Sequence, residues 1–212
     1  MSKKNVTIFW FRRDLRLDDN AGFLAALKSE HKVLPIFIFD THILSKLPED
    51  DARVTFIFET LQKMRKELQD VWNSSLAMFH GTPKSIFEEL IETYDIESVY
   101  TNRDYEPYAR ERDAEIEELL TSQDIAFKTF KDQVIIETSE VLKDDGDPYV
   151  VYTPYKNKWK ETFDKDKHLE IHYTNSYLDN LIENTRLPNL TLSDLGFKKS
   201  DIEVPEFTVT PT

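Results

Sequence analysis

The densest group of charged side chains in the sequence follows directly on an apolar run near the start. Residues 6–20 read V-T-I-F-W-F-R-R-D-L-R-L-D-D-N. The charged residues are Arg12, Arg13, Asp14, Arg16, Asp18 and Asp19. Such groups at the end of a buried strand can hold a ligand, because open α/β sheets bind ligands beyond the carboxyl ends of their strands. The same charges could instead pair with one another in a solvated loop, and the residue types leave both alternatives open.

The elements that must position these charges form an alternating series. Residues 6–11 are apolar on both parities, which is typical of a parallel strand covered by helices on both faces. The pattern predicts four further strands at 32–39, 75–80, 98–101 and 125–130. Helices are predicted between them, at about 20–29, 52–70, 84–93 and 107–121. Asp19 or Asn20 is the predicted N-cap of the first, and Thr82, followed by Pro83, is that of the third. Residues 41–52 are predicted to form a polar loop. Strands alternating with helices indicate an α/β fold with a parallel sheet and right-handed crossovers.

Two later segments also carry polar and aromatic groups together. Residues 102–113, N-R-D-Y-E-P-Y-A-R-E-R-D, follow the predicted fourth strand. Residues 152–159 read Y-T-P-Y-K-N-K-W and predict a helix with Thr153 as N-cap and Pro154 at its first position. Such a helix would present Tyr155 and Trp159 on one face. We expect this face to form an exposed apolar patch.

These three segments resemble, in the same order, motifs of the DNA photolyase and cryptochrome family. The family's N-terminal α/β domain begins with W-F-R-x-D-L-R-x-x-D-N, carries N-x-x-Y-E…R-D after its fourth strand, and then F-T-P-Y/F-x-x-x-W. The resemblance implies a Rossmann-like five-stranded parallel sheet in the order 3-2-1-4-5, with helices on both faces. In that order the winding reverses between strands 1 and 4, so we expect a crevice between residues 12–19 and 102–106.

The resemblance also implies a function. In that family this domain holds an antenna chromophore, a reduced folate or a deazaflavin, which passes excitation energy to FAD in a helical domain. The FAD then donates an electron that splits a pyrimidine dimer in DNA. The chain is thus expected to be the light-harvesting-cofactor domain of a deoxyribodipyrimidine photo-lyase, a fragment inactive alone and without catalytic residues. The same domain of a blue-light-sensing cryptochrome is the alternative within the family.

A free-standing nucleotide-binding module on a Rossmann-like fold is the alternative from another class. The chain has four glycines and neither G-x-G-x-x-G nor a Walker A motif. A phosphate chain therefore lacks a glycine-rich cradle, which counts against this class. A flat aromatic ligand fits the sequence better, held by stacking and a few polar contacts.

The predicted ligand contacts combine aromatic walls with polar groups at strand ends. They are Phe11, Arg12, Asp14, Phe39, Asp40, Arg53, Asn102, Asp104, Tyr105, Glu106 and Tyr108. Folate-type members carry an Asn-Glu pair where this chain has Tyr108 and Ala109, so the resemblance favours deazaflavin or FMN, with an empty pocket as the alternative. Arg53 opposes the helix dipole and is either recruited by an anion or paired with Asp50 or Asp51.

Composition limits the partners. The formal charge is −13, with 40 acidic against 27 basic residues, so the chain should be repelled by a phosphate backbone. By resemblance, DNA would be bound through a C-terminal helical FAD domain beyond residue 212. The predicted organisation is an antenna-binding domain at 1–163 and a linker at 164–212 that leads to that domain.

The remaining expectations concern environment and metals. There is no run of about 18 apolar residues and no signal peptide, so we expect no membrane contact, a cytoplasmic location and a monomeric parent. The chain has no cysteine, which excludes disulfides. His168 and His172 are spaced H-x-x-x-H but lack the carboxylate of a zinc helix, so no metal site is predicted.

Overall fold

The computed structural model describes residues 3–201 and contains one five-stranded sheet. The strands are β1 (Asn5–Phe11), β2 (Val33–Asp40), β3 (Ala77–Gly81), β4 (Asp95–Asn102) and β5 (Ala126–Phe130). Their order is β3-β2-β1-β4-β5, and every neighbouring pair is parallel. The α/β fold class and the strand order predicted from the sequence are confirmed.

Helices cover both faces of the sheet. They are α1 (Ala21–Leu27), α2 (Thr41–Leu44), α3 (Ala52–Trp72), α4 (Pro83–Thr93), α5 (Pro107–Thr121), α6 (Tyr152–Thr162) and α7 (Lys165–His168). Phe9 and Phe11 of β1 point into a core built with α1 and α3, whereas Ile8 and Trp10 point into a second core built with α4 and α5. A central strand buried on both sides therefore carries apolar residues towards both faces.

The helix starts were predicted with mixed success. Asn20 caps α1 by accepting a hydrogen bond from the backbone of Phe23, and Thr82 caps α4 with Pro83 at its first position. The prediction for α6 was wrong, because this helix starts at Tyr152 and its first turn has no side-chain cap. Pro154 is tolerated there, since the first turn of a helix does not use its N–H groups internally.

Residues 174–198, within the predicted linker, pack against the sheet and its helices. Leu178 and Leu181 are buried in the core on the α1 and α3 side, and Leu187 is buried in the other core. The backbone N–H of Ile182 donates to the carbonyl of Val33 at 2.9 Å, beside an isolated bridge between Val33 and Leu181. This segment is thus part of the compact unit, and the domain boundary at residue 163 stays a prediction. Residues 202–212 of the predicted linker lie outside the described residues.

The length and the polarity of a helix decide whether it could span a membrane. The longest helix, α3, has 21 residues and carries charged side chains along much of its length. Across residues 3–201, no helix combines the length and the apolar character that a bilayer span requires.

Candidate functional site

A cavity of about 400 Å³ opens at the carboxyl ends of β1 and β2, as the topology of an open α/β sheet leads one to expect. Its walls come from those strand ends, from α2, and from the first turns of α3 and α5. Eight of the eleven predicted contact residues line it. They are Phe11, Arg12, Phe39, Asp40, Arg53, Asp104, Glu106 and Tyr108.

The floor of the cavity is aromatic and aliphatic. Phe37 and Phe39 of β2 meet edge to face, with ring centroids 4.9 Å apart. Phe11 is fully buried beside them at the end of β1. Apolar side chains from α2 and α3 complete the floor, namely Ile43, Leu44, Leu47, Val54 and Ile57. A surface of this kind binds a flat ring through burial and stacking.

One wall ties α2 to the start of α5. The phenol of Tyr108 donates a 2.5 Å hydrogen bond to Asp40 Oδ2, and its ring stacks on His42 at 4.7 Å. Asp40 also caps α2 by accepting from the backbone N–H of His42. Burial, followed by the hydrogen bond to Asp40, raises the pKa of Tyr108 above its ordinary value, so the phenol stays protonated at neutral pH.

The wall next to Tyr108 contains two buried arginines that share one carboxylate. Arg12 Nη1 donates to Asp113 Oδ1 at 2.5 Å, and Arg112 Nη2 donates to the same oxygen at 3.0 Å. Arg12 also donates to the backbone carbonyl of Asn102, while its buried Nε has no hydrogen-bond partner. Burial is the main cause that lowers the pKa of Arg12, and Asp113 opposes it. Two guanidiniums facing one carboxylate leave this wall positively charged.

The rim of the cavity carries exposed ion pairs. Arg13 Nη1 lies 3.4 Å from Asp104 and 3.7 Å from Glu106, so it joins the loop after β1 to the loop after β4. The Arg53 side chain is 71% exposed and pairs with Asp51 at 2.6 Å. Of the two predicted alternatives for Arg53, the structure shows the ion pair with Asp51. Arg53 lines the mouth of the cavity from that position.

The crevice predicted between the tips of β1 and β4 is present as a second cavity of about 490 Å³, and Asp14 and Asn102 of a polar network line it. The amide of Asn102 donates to Asp14 Oδ2 at 2.6 Å and to Asn20 Oδ1 at 2.8 Å, and its oxygen accepts from the backbone N–H of Gly22 at 2.9 Å. A Cβ atom at Gly22 would stand 2.5 Å from that oxygen, so only glycine allows this approach. The predicted crevice is therefore confirmed as a polar cavity. It lies beside the more apolar cavity in front of β1 and β2, and Arg12, Arg13 and Asp104 line both.

Three predicted contact residues lie outside the cavity in front of β1 and β2. Asp14 and Asn102 belong to the network just described, which joins the first and fourth strands. Tyr105 points towards the segment after β5, where its phenol donates to Glu137 Oε2 at 2.8 Å. Burial, followed by this hydrogen bond, raises the pKa of Tyr105. We therefore leave these three side chains out of the proposed ligand site.

Several lining residues were missed from the sequence although a signal was present. Ile43, Leu44 and Leu47 were placed in a polar loop, but their i, i+1 and i+4 spacing is that of one helical face. Arg112 follows Tyr108 by four residues and so lies on the same side of α5. Trp10 was assigned to a buried strand without a role at the site, yet it lines the cavity.

Comparison with known proteins agrees with this architecture. The family model described as DNA photolyase matches residues 7–172. A deoxyribodipyrimidine photo-lyase of Synechococcus sp. is 33% identical over 153 residues, which cover 72% of this chain and 31% of that protein. Proteins named cryptochrome also match. The chain spans about a third of the length of this photo-lyase.

Solved structures of the family match as well. A bacterial class III photolyase from Agrobacterium tumefaciens aligns with a TM-score of 0.68 and 25% identity, covering 95% of this chain and 38% of that one. An archaeal photolyase from Sulfolobus tokodaii, described with two FAD molecules and an implied novel light-harvesting cofactor, aligns with a TM-score of 0.58 and 32% identity. That match covers 64% of this chain and 31% of the archaeal one.

Fold, site position and sequence therefore define a photolyase-type α/β domain with a cavity at the carboxyl edge of its sheet. The chain belongs to the DNA photolyase family.

Proposed function

We propose that the chain is the light-harvesting-cofactor domain of a deoxyribodipyrimidine photo-lyase and that its cavity holds a planar antenna pigment. The observation that carries this proposal is the build of the cavity, with an aromatic and aliphatic floor under a polar rim. Phe11 and Phe39 of the lining would pack against the ring, while Asp40, Tyr108 and Arg13 would offer polar contacts at its edge. A site of this size and lining suits a fused aromatic ring system.

The pigment is of the deazaflavin or flavin class in this proposal. Ala109 stands on the first turn of α5, 2% exposed, and has no side-chain group that could hold a pterin. The archaeal relative described with a second FAD supports the flavin class. When bound, the pigment would supply light absorption, and the residues of the cavity would bind it, orient it and exclude water.

The parent activity is proposed by relationship. The chain covers 31% of the Synechococcus photo-lyase, so the repair of pyrimidine dimers would be carried out by a further, FAD-binding helical domain. That domain would also contact DNA, since this chain carries a formal charge of −13. An exposed apolar stretch at Val150, Val151, Tyr152 and Tyr155 is suited to contact with it. A cryptochrome parent is the second candidate, favoured by the relatives with that name.

A pigment titration tests the proposal. The purified chain is mixed in turn with a deazaflavin, FMN, a reduced folate and ATP, and binding is followed by absorption and fluorescence. We expect saturable uptake of the deazaflavin or FMN at one molecule per chain. Saturable binding of ATP without uptake of any pigment would instead favour the free-standing nucleotide-binding module.

A matched pair of tryptophan variants tests whether the pigment occupies this cavity. Ile43→Trp puts a large ring into the mouth of the cavity, whereas Ile135→Trp makes the same change outside the cavity lining at a position that is equally exposed, 44% in both cases. We expect the first variant to lower pigment affinity by about tenfold or more, which corresponds to ~1.4 kcal/mol. The second should bind like the native chain, and equal affinities in both variants would contradict the proposed site.

A further inference from the structure

The indole ring of Trp10 lies in the cavity wall next to two guanidinium groups. The guanidinium carbon of Arg12 is 5.1 Å from the ring centroid, and that of Arg112 is 4.9 Å from it. All three side chains are buried, and all three line the cavity. The two guanidiniums share the single carboxylate of Asp113, so the ring is held in a net positive environment.

More cationic groups lie next to the ring than the ion pair with Asp113 requires. One arginine would satisfy the charge of Asp113, and burying a second guanidinium next to it adds a desolvation cost. Both cations are attracted to the neutral indole ring. If the ring lost an electron and became positive, both attractions would turn into repulsions, which are strong away from water. The two neighbouring cations therefore make Trp10 harder to oxidise than an indole without cationic neighbours.

We infer that Arg12 and Arg112 protect the excited state of a flavin-class pigment in this cavity from quenching by Trp10. The inference rests on the proposed function. An excited oxidised flavin is a strong one-electron oxidant, and a ring bound in the cavity would lie against Trp10. In the quenching step one electron leaves the indole, which is oxidised, and enters the pigment, which is reduced. No proton and no further reactant takes part in this transfer.

Tyr108 is the second oxidisable ring in the wall, and its surroundings differ. Its phenol donates to Asp40, a carboxylate that can accept the proton when the phenol is oxidised. Arg112 lies 5.9 Å from the centre of this ring, so a change at Arg112 would act on both aromatic residues. The effect on Trp10 is therefore measured in a Tyr108→Phe background, in which the second donor is absent.

The experiment measures the fluorescence lifetime of FMN bound to the full chain. In the Tyr108→Phe background, Arg112→Met removes the charge, Arg112→Lys keeps it, and Arg110→Met makes the same loss at an exposed position of α5. We expect Arg112→Met to shorten the lifetime at least twofold, with Arg112→Lys and Arg110→Met close to the parent. Adding Trp10→Phe to Arg112→Met should restore the long lifetime. Arg112→Gln provides the same loss of charge should the methionine variant not fold.

The possible outcomes separate this inference from the proposed function. Bound FMN with an unchanged lifetime in Arg112→Met overturns the protective role, as does a lifetime that stays short after Trp10→Phe is added. Uptake of deazaflavin or folate without FMN overturns the inference and leaves the proposed antenna function standing. Uptake of no pigment at all contradicts the proposed function itself.

Discussion

The polar network between β1 and β4 and the cavity in front of β1 and β2 draw on the same two loops but use them differently. In the network, Asp14, Asn20 and Asn102 satisfy one another and the backbone of Gly22. In the cavity, polar side chains stand at the rim of an apolar floor. Neighbouring residues of one motif thus divide into those that join the two strand ends by hydrogen bonds and those that line the apolar cavity.

This difference shows what a ligand site at a sheet edge requires. The winding of the sheet reverses at β1 and β4, and the crevice at that point is lined by polar and charged side chains. The adjacent position has an apolar floor instead, because aromatic residues of β1 and β2 lie there with apolar side chains of α2 and α3. Topology therefore selects the edge of the sheet, while side-chain packing selects the position along that edge.

The largest effect in our predictions comes from breaking the network at Asn102. Asn102→Ala removes three hydrogen bonds at a buried site and leaves the N–H of Gly22 unpaired. We expect the free energy of unfolding to fall by about 3 kcal/mol or more, as buried polar groups lose their partners. Urea unfolding measures this loss, with Asn157→Ala on the exposed side of α6 as the matched control.

Pigment binding by Asn102→Ala tests whether the network and the cavity are separate sites. The affinity of the folded fraction should stay within about twofold of the native value, because Asn102 is not part of the cavity lining and the floor remains intact. If Asn102→Ala abolished pigment uptake while the chain remained folded, the network and the cavity would form one site, and the division drawn here would be wrong.

A smaller effect is predicted for the wall at Tyr108. Tyr108→Phe removes the hydrogen bond to Asp40 and should lower the free energy of unfolding by about 1 kcal/mol at pH 8. Thermal unfolding measures this difference. Tyr155→Phe, on the exposed side of α6, is the control for loss of a phenol. A destabilisation as large as that of Asn102→Ala would mean that this wall carries as much of the fold as the network does.

The raised pKa of Tyr108 predicts that the free energy of unfolding depends on pH. The pKa of Tyr108 is raised in the folded chain, so the folded state holds the phenolic proton more tightly than the unfolded state. The resulting stabilisation is complete below the ordinary tyrosine pKa of about 10 and is lost as the pH rises above it. The stability difference between the native chain and Tyr108→Phe should therefore shrink from pH 8 to pH 11. A difference that grows with pH would mean that Tyr108 ionises more easily in the folded chain.

The smallest effect is predicted at the rim. Arg53 is exposed and paired with Asp51, which also caps α3. Arg53→Met should change the free energy of unfolding by less than about 0.5 kcal/mol, because exposed ion pairs contribute little. Chemical unfolding checks this value, and a loss above ~1 kcal/mol would show that the rim is structural as the network is.

The sequence was sufficient for the parts of the fold that follow a regular period. The run at 6–11, apolar on both parities, predicted a central parallel strand, and Thr82 with Pro83 marked the start of α4. Residues 174–198 were missed because Leu178, Leu181 and Leu187 are spaced irregularly and pack through a coil and a short 3₁₀ helix. Buried residues without a regular spacing give no hydrophobic periodicity from which an element could be predicted.

The sequence predicted where the candidate site lies better than it predicted which residues line it. Phe11, Phe39 and Asp40 end their strands at the cavity, as strand ends in an open sheet should. Asp14 could not be distinguished from them, because a carboxylate that binds Asn102 and one that binds a ligand are the same residue type. The wall of Trp10 and Arg112 depends on where α5 crosses the sheet, which no local spacing in β1 reveals.

The most direct test of the account is a crystal structure of the chain grown with FMN. We expect the ring system in front of β1 and β2, between Phe39 and Tyr108 and against Trp10, with the Asp14 and Asn102 network unchanged. An FMN ring found between the tips of β1 and β4, or elsewhere on the surface with this cavity vacant, would contradict the account.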